Sequence, residues 1–226
     1  KRAVISMFSR AKAFIVKAGT IILICNAVVH LLQTFDWKLQ VVAETAPETS
    51  ILASIAMPLA VLFVPLGFGI WQFAAAAVTG FIAKENVVGT LAVTFALTNF
   101  FDMEELTLIG GSTEVGTIMG ISSVAALAYL VFNLFTPPCF AAIGAMNSEM
   151  ESRKWLGGAI AFQLGMGYTL AFLVYQFGTL FTTGSFGEGF GAGLVIVSAI
   201  AATIVILMHR GARRHQIKTS VQAVKS

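Results

Sequence analysis

The segment WQFAAAAVTGFIAKENVVGTLAVTFAL, residues 71–97, decides the fold class of this chain. It has the composition of a membrane-spanning helix except for Lys84 and Glu85, which lie side by side in its middle. An ionisable residue at bilayer depth costs at least ~2.5–3.5 kcal/mol, so such residues usually face a cavity, a partner or a transport path. The segment therefore predicts the membrane part of a transport protein.

The composition of the whole chain agrees with this prediction. Of its 226 residues, 57% are hydrophobic and 11% are charged, whereas a soluble domain carries about a quarter charged residues. Six apolar stretches occupy residues 13–35, 51–70, 71–97, 118–135, 155–181 and 191–208. We therefore expect an all-α polytopic membrane protein with about six hydrophobic helical segments, some of them broken by Pro or Gly. Pro58 and Pro65 leave open whether residues 51–70 span the bilayer or form a re-entrant hairpin.

Basic residues suggest how the chain is oriented. They precede the first stretch, separate the fourth from the fifth and follow the sixth, so the positive-inside rule predicts that both termini are cytoplasmic. The expected divisions are a cytoplasmic amphipathic lead-in at 1–12, a transmembrane domain at 13–140, a cytoplasmic loop with two C-terminal spans at 141–208, and a basic cytoplasmic tail at 209–226. The net charge of only +3 predicts no nucleic-acid partner. The first residues resemble the middle of a protein, so we expect an upstream part to be missing.

Lys84 and Glu85 are adjacent, so on a regular helix they point ~100° apart and do not form the pair available at i, i+4. Either each residue has a partner on another helix, or the backbone near Gly80 is unwound. Discontinuous helices at mid-membrane are a known way of building ion sites. The alternative is that both residues form buried ion pairs that only fix helix packing.

A second helix break is predicted at Pro137 and Pro138, because proline lacks the N–H that continues a helix. Cys139 would then start the next helical turn, where the helix dipole favours a thiolate. A thiolate is a good ligand for borderline or soft divalent metals; the alternative is a small apolar packing residue. Met146 is seven residues further on, ~10.5 Å along a helix, which is too far to bind the same ion as Cys139. It would be a second binding position along a transport path, or a core residue.

Sequence motifs of catalysis are lacking. The chain has no phosphate-binding loop of the GxxxxGK[ST] type, no HExxH and no GxSxG, and each would mark a different catalytic or nucleotide site. Cys25 and Cys139 have no CxxC neighbour, which argues against a structural zinc site or a disulfide framework. We therefore expect no catalytic site in this chain.

Two runs together resemble the C-terminal gate region of the bacterial ferrous iron transport protein B family. They are PLAVLFVPLGFGIWQFAAAAVTGFIAKENVVGTLAV, which starts at Pro58, and FTPPCFAAIGAMNSEMESRKW, which starts at Phe135. The resemblance covers roughly residues 10–208. It implies that residues 13–140 form the second gate-type domain of a bacterial cytoplasmic (inner) membrane protein. It also implies Fe²⁺ as the transported substrate.

The resemblance further implies roles for single residues and for partners. Glu85 falls on the glutamate of the family's AKE motif and Cys139 on its second-gate cysteine, as metal ligands. Lys84, Asn86 and Met146 are expected along the transport path or its gate, although Asn86 stands where many relatives have an apolar residue. GTP would act only through an N-terminal GTPase domain that is absent here, together with a first gate region. A homo-oligomer and a small FeoA-like accessory protein are further expected partners, besides the lipid bilayer.

The alternative function is a nucleoside-type or other organic-solute permease gate domain without a metal site, because gate regions also resemble nucleoside-transporter domains. Such a site would be expected to offer more amides, serines and aromatic residues at the midplane. The polar residues inside the apolar stretches are few, and they are Asn26, Lys84, Glu85, Asn86, Asn133 and Gln163.

Overall fold

The computed structural model describes residues 2–42, 46–82, 84, 86–95, 101–102, 107–108, 119–150 and 152–225. The α-helices are α1 (Arg2–Thr34), α2 (Ile51–Phe63), α3 (Trp71–Ile82), α4 (Asn86–Thr94), α5 (Ser123–Phe135), α6 (Phe140–Glu149), α7 (Arg153–Thr183) and α8 (Phe190–Lys225). Two 3-10 turns lie at Pro47–Thr49 and Val64–Leu66. The two-residue strands β1 (Phe101–Asp102) and β2 (Thr107–Leu108) pair antiparallel. The predicted all-α membrane fold is confirmed, since this ladder is the one sheet in the described part of the chain.

Three helical segments among the described residues are long and apolar enough to cross a membrane. They are Ser123–Glu149, which joins α5 and α6, Arg153–Thr183 (α7) and Phe190–Leu207 in α8. Ile51–Leu66 and Trp71–Ile82 qualify only as a pair, and they are bent by 102° at the break between them. This bend is a broken span or a re-entrant loop, and it follows the Pro65 break that the sequence predicts.

Several helices continue beyond the predicted divisions of the chain. The first helix, α1, runs without interruption through residues 12 and 13, and α8 extends through the basic tail to Lys225. Residues 140–149 are helical in α6, as expected for a helical turn that starts after Cys139, and the cytoplasmic location of residues after 140 stays a prediction. The segment FAAIGAMNSE contains three alanines, a methionine and a glutamate, and these residues favour helix wherever no proline intervenes.

The core is an aromatic cluster between the bent pair and α5. The ring of Tyr129 lies 4.8 Å from that of Phe73 and 5.1 Å from that of Phe68, both in edge-on geometry. Phe132, one helical turn later, contacts Phe63 at 5.2 Å. Edge-on pairs of this kind are favourable beyond the area they bury. The cluster therefore fixes the position of α5 up to Phe132, the residue directly before Asn133.

The turn inside the bent pair is shaped by Gly67, which has φ +85°. The ring of Tyr175 from α7 occupies the space that a Cβ at Gly67 would need. A side chain there would be strained by its backbone conformation and would also collide with this ring. Tyr168 of α7 donates its hydroxyl to the carbonyl oxygen of Leu62 at 3.0 Å. Helix α7 therefore contacts both α5, along which it packs, and the turn inside the bent pair.

Candidate cation site at two helix breaks

Two interrupted helices meet through the side chain of Lys84. Lys84 lies in the turn between α3, which ends at Ile82, and α4, which begins at Asn86. Its Nζ donates hydrogen bonds to the carbonyl oxygens of Asn133 at 2.6 Å and Thr136 at 3.0 Å. Both carbonyls belong to the end of α5, just before the Pro137–Pro138 break. For Lys84 both alternatives left open by the sequence therefore hold, since it lies between two helices and has its partners on another helix. The predicted proline break is also present and is joined to this turn.

The proline break explains why the Asn133 carbonyl needs a partner. In a regular α-helix the N–H of residue 137 would donate to the carbonyl of residue 133, but Pro137 has no N–H. The Lys84 ammonium takes this place, together with the hydroxyl of Thr136, which donates to the same oxygen at 3.1 Å. A positive charge is also favourable at the C-terminal end of a helix dipole. A charged side chain thus replaces the missing backbone donor.

A cavity of about 690 Å³ adjoins this break. The described residues that line it are Lys84, Leu134, Phe135, Thr136, Pro138, Cys139, Phe162, Gln163 and Met166. The structure therefore brings Lys84 and Cys139, predicted separately, to one cavity. Cys139 is the N-cap of α6, is partly buried and makes no capping hydrogen bond with its side chain. Its sulfur is thus not committed to the α6 backbone.

Gln163 and Met166 are cavity residues whose role sequence reasoning did not identify. Both lie on α7, three residues apart and hence on one face. The Gln163 Oε1 atom is buried and has no hydrogen-bond partner among the described residues. With Cys139, these side chains bring a cysteine sulfur, a thioether and an amide to one place, which are donor types that transition metals accept. The sequence feature that could have identified these two residues is their i, i+3 spacing within an apolar helix, which places a polar side chain and a methionine on one face.

Gly167 allows α7 to approach the break closely. A Cβ at this position would lie 3.2 Å from Thr136 Cγ2 and 3.3 Å from both Phe135 C and Thr136 N. Two of these three atoms belong to the backbone, so they have little freedom to move away. The absence of a side chain at Gly167 therefore sets the distance between α7 and the carbonyl end of α5.

Asn86, predicted as a path or gating residue, begins α4 and donates from Nδ2 to Asn26 Oδ1 of α1 at 2.7 Å. One turn later Thr90 accepts from Gln33 of α1 at 3.2 Å and shares a 2.9 Å hydrogen bond with Thr79 of α3. These contacts fasten α4 to its neighbours, as interhelical hydrogen bonds do in membrane proteins. Asn86 does not line the cavity, and its role in transport stays a prediction.

Two further predicted site residues have different outcomes. Glu85 lies outside the described residues, so its place as a metal ligand stays a prediction. Met146 lies in α6 and is partly buried, but it does not line the cavity. Among the residues that the structure describes, no group of three or more His, Cys, Asp or Glu side chains could hold a metal ion. Of the described residues, a metal at this cavity would use Cys139 together with neutral oxygen and sulfur donors.

Comparison with known proteins gives one family match and several similar curated proteins. A family model described as "Gate: Nucleoside recognition" matches residues 15–153, more than half of the chain. A Staphylococcus aureus (strain COL) protein named Fe(2+) transporter FeoB is 32% identical over 181 residues, which are 78% of this chain and 24% of that protein. The Escherichia coli (strain K12) protein of the same name is 29% identical over 219 residues, covering 78% of this chain and 28% of that protein. No solved structure matches the chain.

The matched part of the chain is the part that contains the two helix breaks. The chain spans about a quarter of the length of the curated relatives it matches. The matched residues 15–153 include both helix breaks and all of α6. The apolar helices and the relatives together indicate an inner-membrane protein in contact with the lipid bilayer. The chain belongs to the gate family, and its predicted resemblance to the C-terminal gate region of FeoB is confirmed.

Proposed function

We propose that this chain forms part of the path by which a bacterial inner-membrane transporter takes up Fe²⁺. The observation that carries the proposal is the shared cavity of Lys84 and Cys139 at two broken helices. Relatives named Fe(2+) transporter support the choice of metal. Discontinuous helices suit this task because freed carbonyls and helix ends replace part of an ion's water shell.

The residues around the cavity have distinct tasks in this proposal. Cys139 binds the partly dehydrated ion as a thiolate, and the N-terminus of α6 favours that anion. Glu85 adds a charged oxygen ligand or a gating partner, and Lys84 carries the compensating charge while the ion is absent. Asn86 and Met146 lie along other parts of the path and do not bind the ion in this cavity. A thiolate site of this kind would not exclude Zn²⁺ by affinity alone.

The partners follow from the resemblance and are part of the same proposal. GTP acts through an N-terminal GTPase domain of the whole transporter, and a first gate region completes the path. A second copy of the chain and a small FeoA-like protein are the other expected partners. Both termini face the cytoplasm, with residues 13–140 as the second gate-type domain, followed by two C-terminal spans within 141–208 and a tail at 209–226.

The test is Fe²⁺ uptake in cells that carry the gene at normal expression and lack other ferrous uptake systems. We expect Cys139→Ser to reduce uptake severely, because the hydroxyl of serine is a much poorer ligand for Fe²⁺ than a thiolate. Glu85→Gln should also reduce it. Cys25→Ser is the matched control, since Cys25 is the second free cysteine and does not line the cavity. Wild-type uptake in both the Cys139 and the Glu85 variant would overturn the site assignment.

A second candidate is a nucleoside-type solute permease, and two observations favour it. The matching family is described by nucleoside recognition, and the cavity volume of about 690 Å³ lies within the ~300–1,000 Å³ typical of small-molecule pockets. The same cells distinguish the two functions. Uptake of a labelled purine nucleoside that depends on the protein, without uptake of Fe²⁺, would replace the metal path with the solute path.

A further inference from the structure

The ammonium group of Lys84 occupies a position that is built like a cation site. It is held by two backbone carbonyl oxygens, at 2.6 Å and 3.0 Å, and the Asn133 oxygen lacks its backbone N–H donor because residue 137 is proline. An ammonium has three N–H donors, and the described residues provide acceptors for two of them. Lys84 lines the cavity, and with respect to the described residues one of its donors is left for water or an anion.

We propose that the Asn133 and Thr136 carbonyl oxygens form a binding position for the transported divalent cation, and that Lys84 is a tethered competitor for this position. The inference rests on the proposed function and deepens it, because it names backbone ligands and assigns the lysine a specific role. In the empty state the ammonium holds the site. When a divalent ion enters, the ammonium is displaced and the ion takes both carbonyls.

Charge and the nearby donors explain how a divalent ion displaces the ammonium. The carbonyl oxygens at the end of α5 carry the partial negative charge of a helix C-terminus, which interacts more strongly with two positive charges than with one. The same cavity supplies the Cys139 sulfur and the Gln163 amide, which can join the two carbonyls in the coordination shell of one metal ion. Monovalent ions lack this advantage, so the lysine excludes them.

The position of Lys84 permits the displacement that the proposal requires. The residue lies in a turn and not within α3 or α4, and its ammonium is attached through a flexible four-carbon stem. The side chain is partly buried, at the edge of the cavity. By contrast, the Asn133 side chain is tied back to its own helix, where Nδ2 donates to the carbonyl of Tyr129 at 2.9 Å. Movement on binding is therefore assigned to the lysine, and the carbonyls are the fixed part.

The purely structural alternative is that Lys84 only supplies the donor that Pro137 lacks. The two roles make opposite predictions for a neutral hydrogen-bond donor at position 84. A competitor that is neutralised leaves the site open, so metal binding becomes tighter. A structural cap that is weakened loosens the break, so metal binding becomes weaker or stays unchanged.

The experiment is a Co²⁺ titration of the purified full chain in detergent, followed by the cobalt–thiolate absorption band. The variant Lys84→Gln keeps an N–H donor for the carbonyls without the charge. If the ammonium holds the site about nine-tenths of the time, Lys84→Gln should bind Co²⁺ about tenfold more tightly than the wild type. Lys84→Arg retains the charge and should show no tightening. Lys154→Gln, on the exposed first turn of α7, is the matched control for loss of a positive charge.

Each outcome decides the inference. Tighter binding in Lys84→Gln alone supports it. Equal or weaker binding in Lys84→Gln, with wild-type binding intact, overturns the inference and leaves the proposed Fe²⁺ path standing. Absence of binding in every variant overturns the inference and also counts against the proposed function. Should Lys84→Gln fail to fold, Lys84→Leu, which adds no metal ligand, is titrated in the same way, and equal or weaker binding there overturns the inference too.

Discussion

The side-chain amide of Gln176 donates from Nε2 to the carbonyl oxygen of Pro65 at 2.9 Å. The amide oxygen of the same side chain accepts from the backbone N–H of Gly187 at 2.9 Å, and Gln176 is only 2% exposed. Pro65 lies in the Val64–Leu66 turn that interrupts the bent pair. A neutral side chain from α7 thus satisfies the backbone at the first proline break.

The second proline break is satisfied in a different way. At Asn133 the donor is the charged ammonium of Lys84, which also faces a cavity with Cys139. A buried amide serves a broken helix as well as an ammonium does and avoids the cost of burying a charge. The choice of lysine at the second break is therefore not explained by hydrogen bonding alone. This contrast supports assigning transport to the second break and a structural role to the first.

Removing the Gln176 amide should destabilise the protein. In Gln176→Leu the Pro65 carbonyl and the Gly187 N–H both lose their partner. A buried polar group left unpaired costs about 1–3 kcal/mol. Because Pro65 is buried while Gly187 is only partly buried and water can reach its N–H, we expect a loss of unfolding free energy in the range for one group. Reversible unfolding in mixed detergent micelles, followed by circular dichroism, measures it.

Gln163→Leu is the control on the same helix. The amide of Gln163 has no hydrogen bond among the described residues, and its oxygen is buried, so its replacement should leave stability unchanged or raise it slightly. Equal destabilisation by the two variants would show that the loss of stability comes from introducing leucine and not from losing the hydrogen bonds of Gln176. In that case the Gln176–Pro65 contact would contribute nothing measurable.

Adding a single methyl group at Gly167 should disturb the cation site. The new Cβ of Gly167→Ala would lie 3.3 Å from backbone atoms of Phe135 and Thr136, so the end of α5 must move by a few tenths of an ångström. Because the Thr136 carbonyl belongs to this segment, we expect weaker Co²⁺ binding and lower thermal stability. Both are measured on the purified chain.

Gly158→Ala provides the comparison within α7, because a Cβ there has no atom within 4 Å. Alanine is favoured over glycine in a helix by about 1 kcal/mol, so Gly158→Ala should be stabilising and should leave Co²⁺ affinity unchanged. If Gly167→Ala behaved like Gly158→Ala, close contact between α7 and the break would not be needed for the site.

Much of the fold is predictable from this sequence for simple reasons. The apolar stretches mark the helices because bilayer thickness requires about 20 apolar residues for each span. The break at Pro137 is predictable because proline lacks an N–H, and counting back four residues identifies Asn133 as the carbonyl released. These features depend only on the local chain.

The partners of the site are not local, and for this reason they could not be read from the sequence. Lys84 is 49 residues from Asn133, and only the packing of the bent pair against α5 brings the two together. The sequence favoured Met146, which follows Cys139 on the same helix, whereas the cavity contains Met166 from α7. That choice depends on how closely α7 packs on α5, which Gly167 determines.

The two methionines give a test of which helix face carries the ion. Met166→Leu and Met146→Leu keep side-chain volume nearly constant, and such exchanges usually cost less than about 1.5 kcal/mol. Each removes one soft sulfur donor. Because Met166 lines the cavity and Met146 does not, Met166→Leu should raise the KM for Fe²⁺ uptake several-fold at unchanged protein level. Met146→Leu should match the wild type. The opposite result, with a raised KM only for Met146→Leu, would show that the ion is bound on the face of α6 and not on the face of α7.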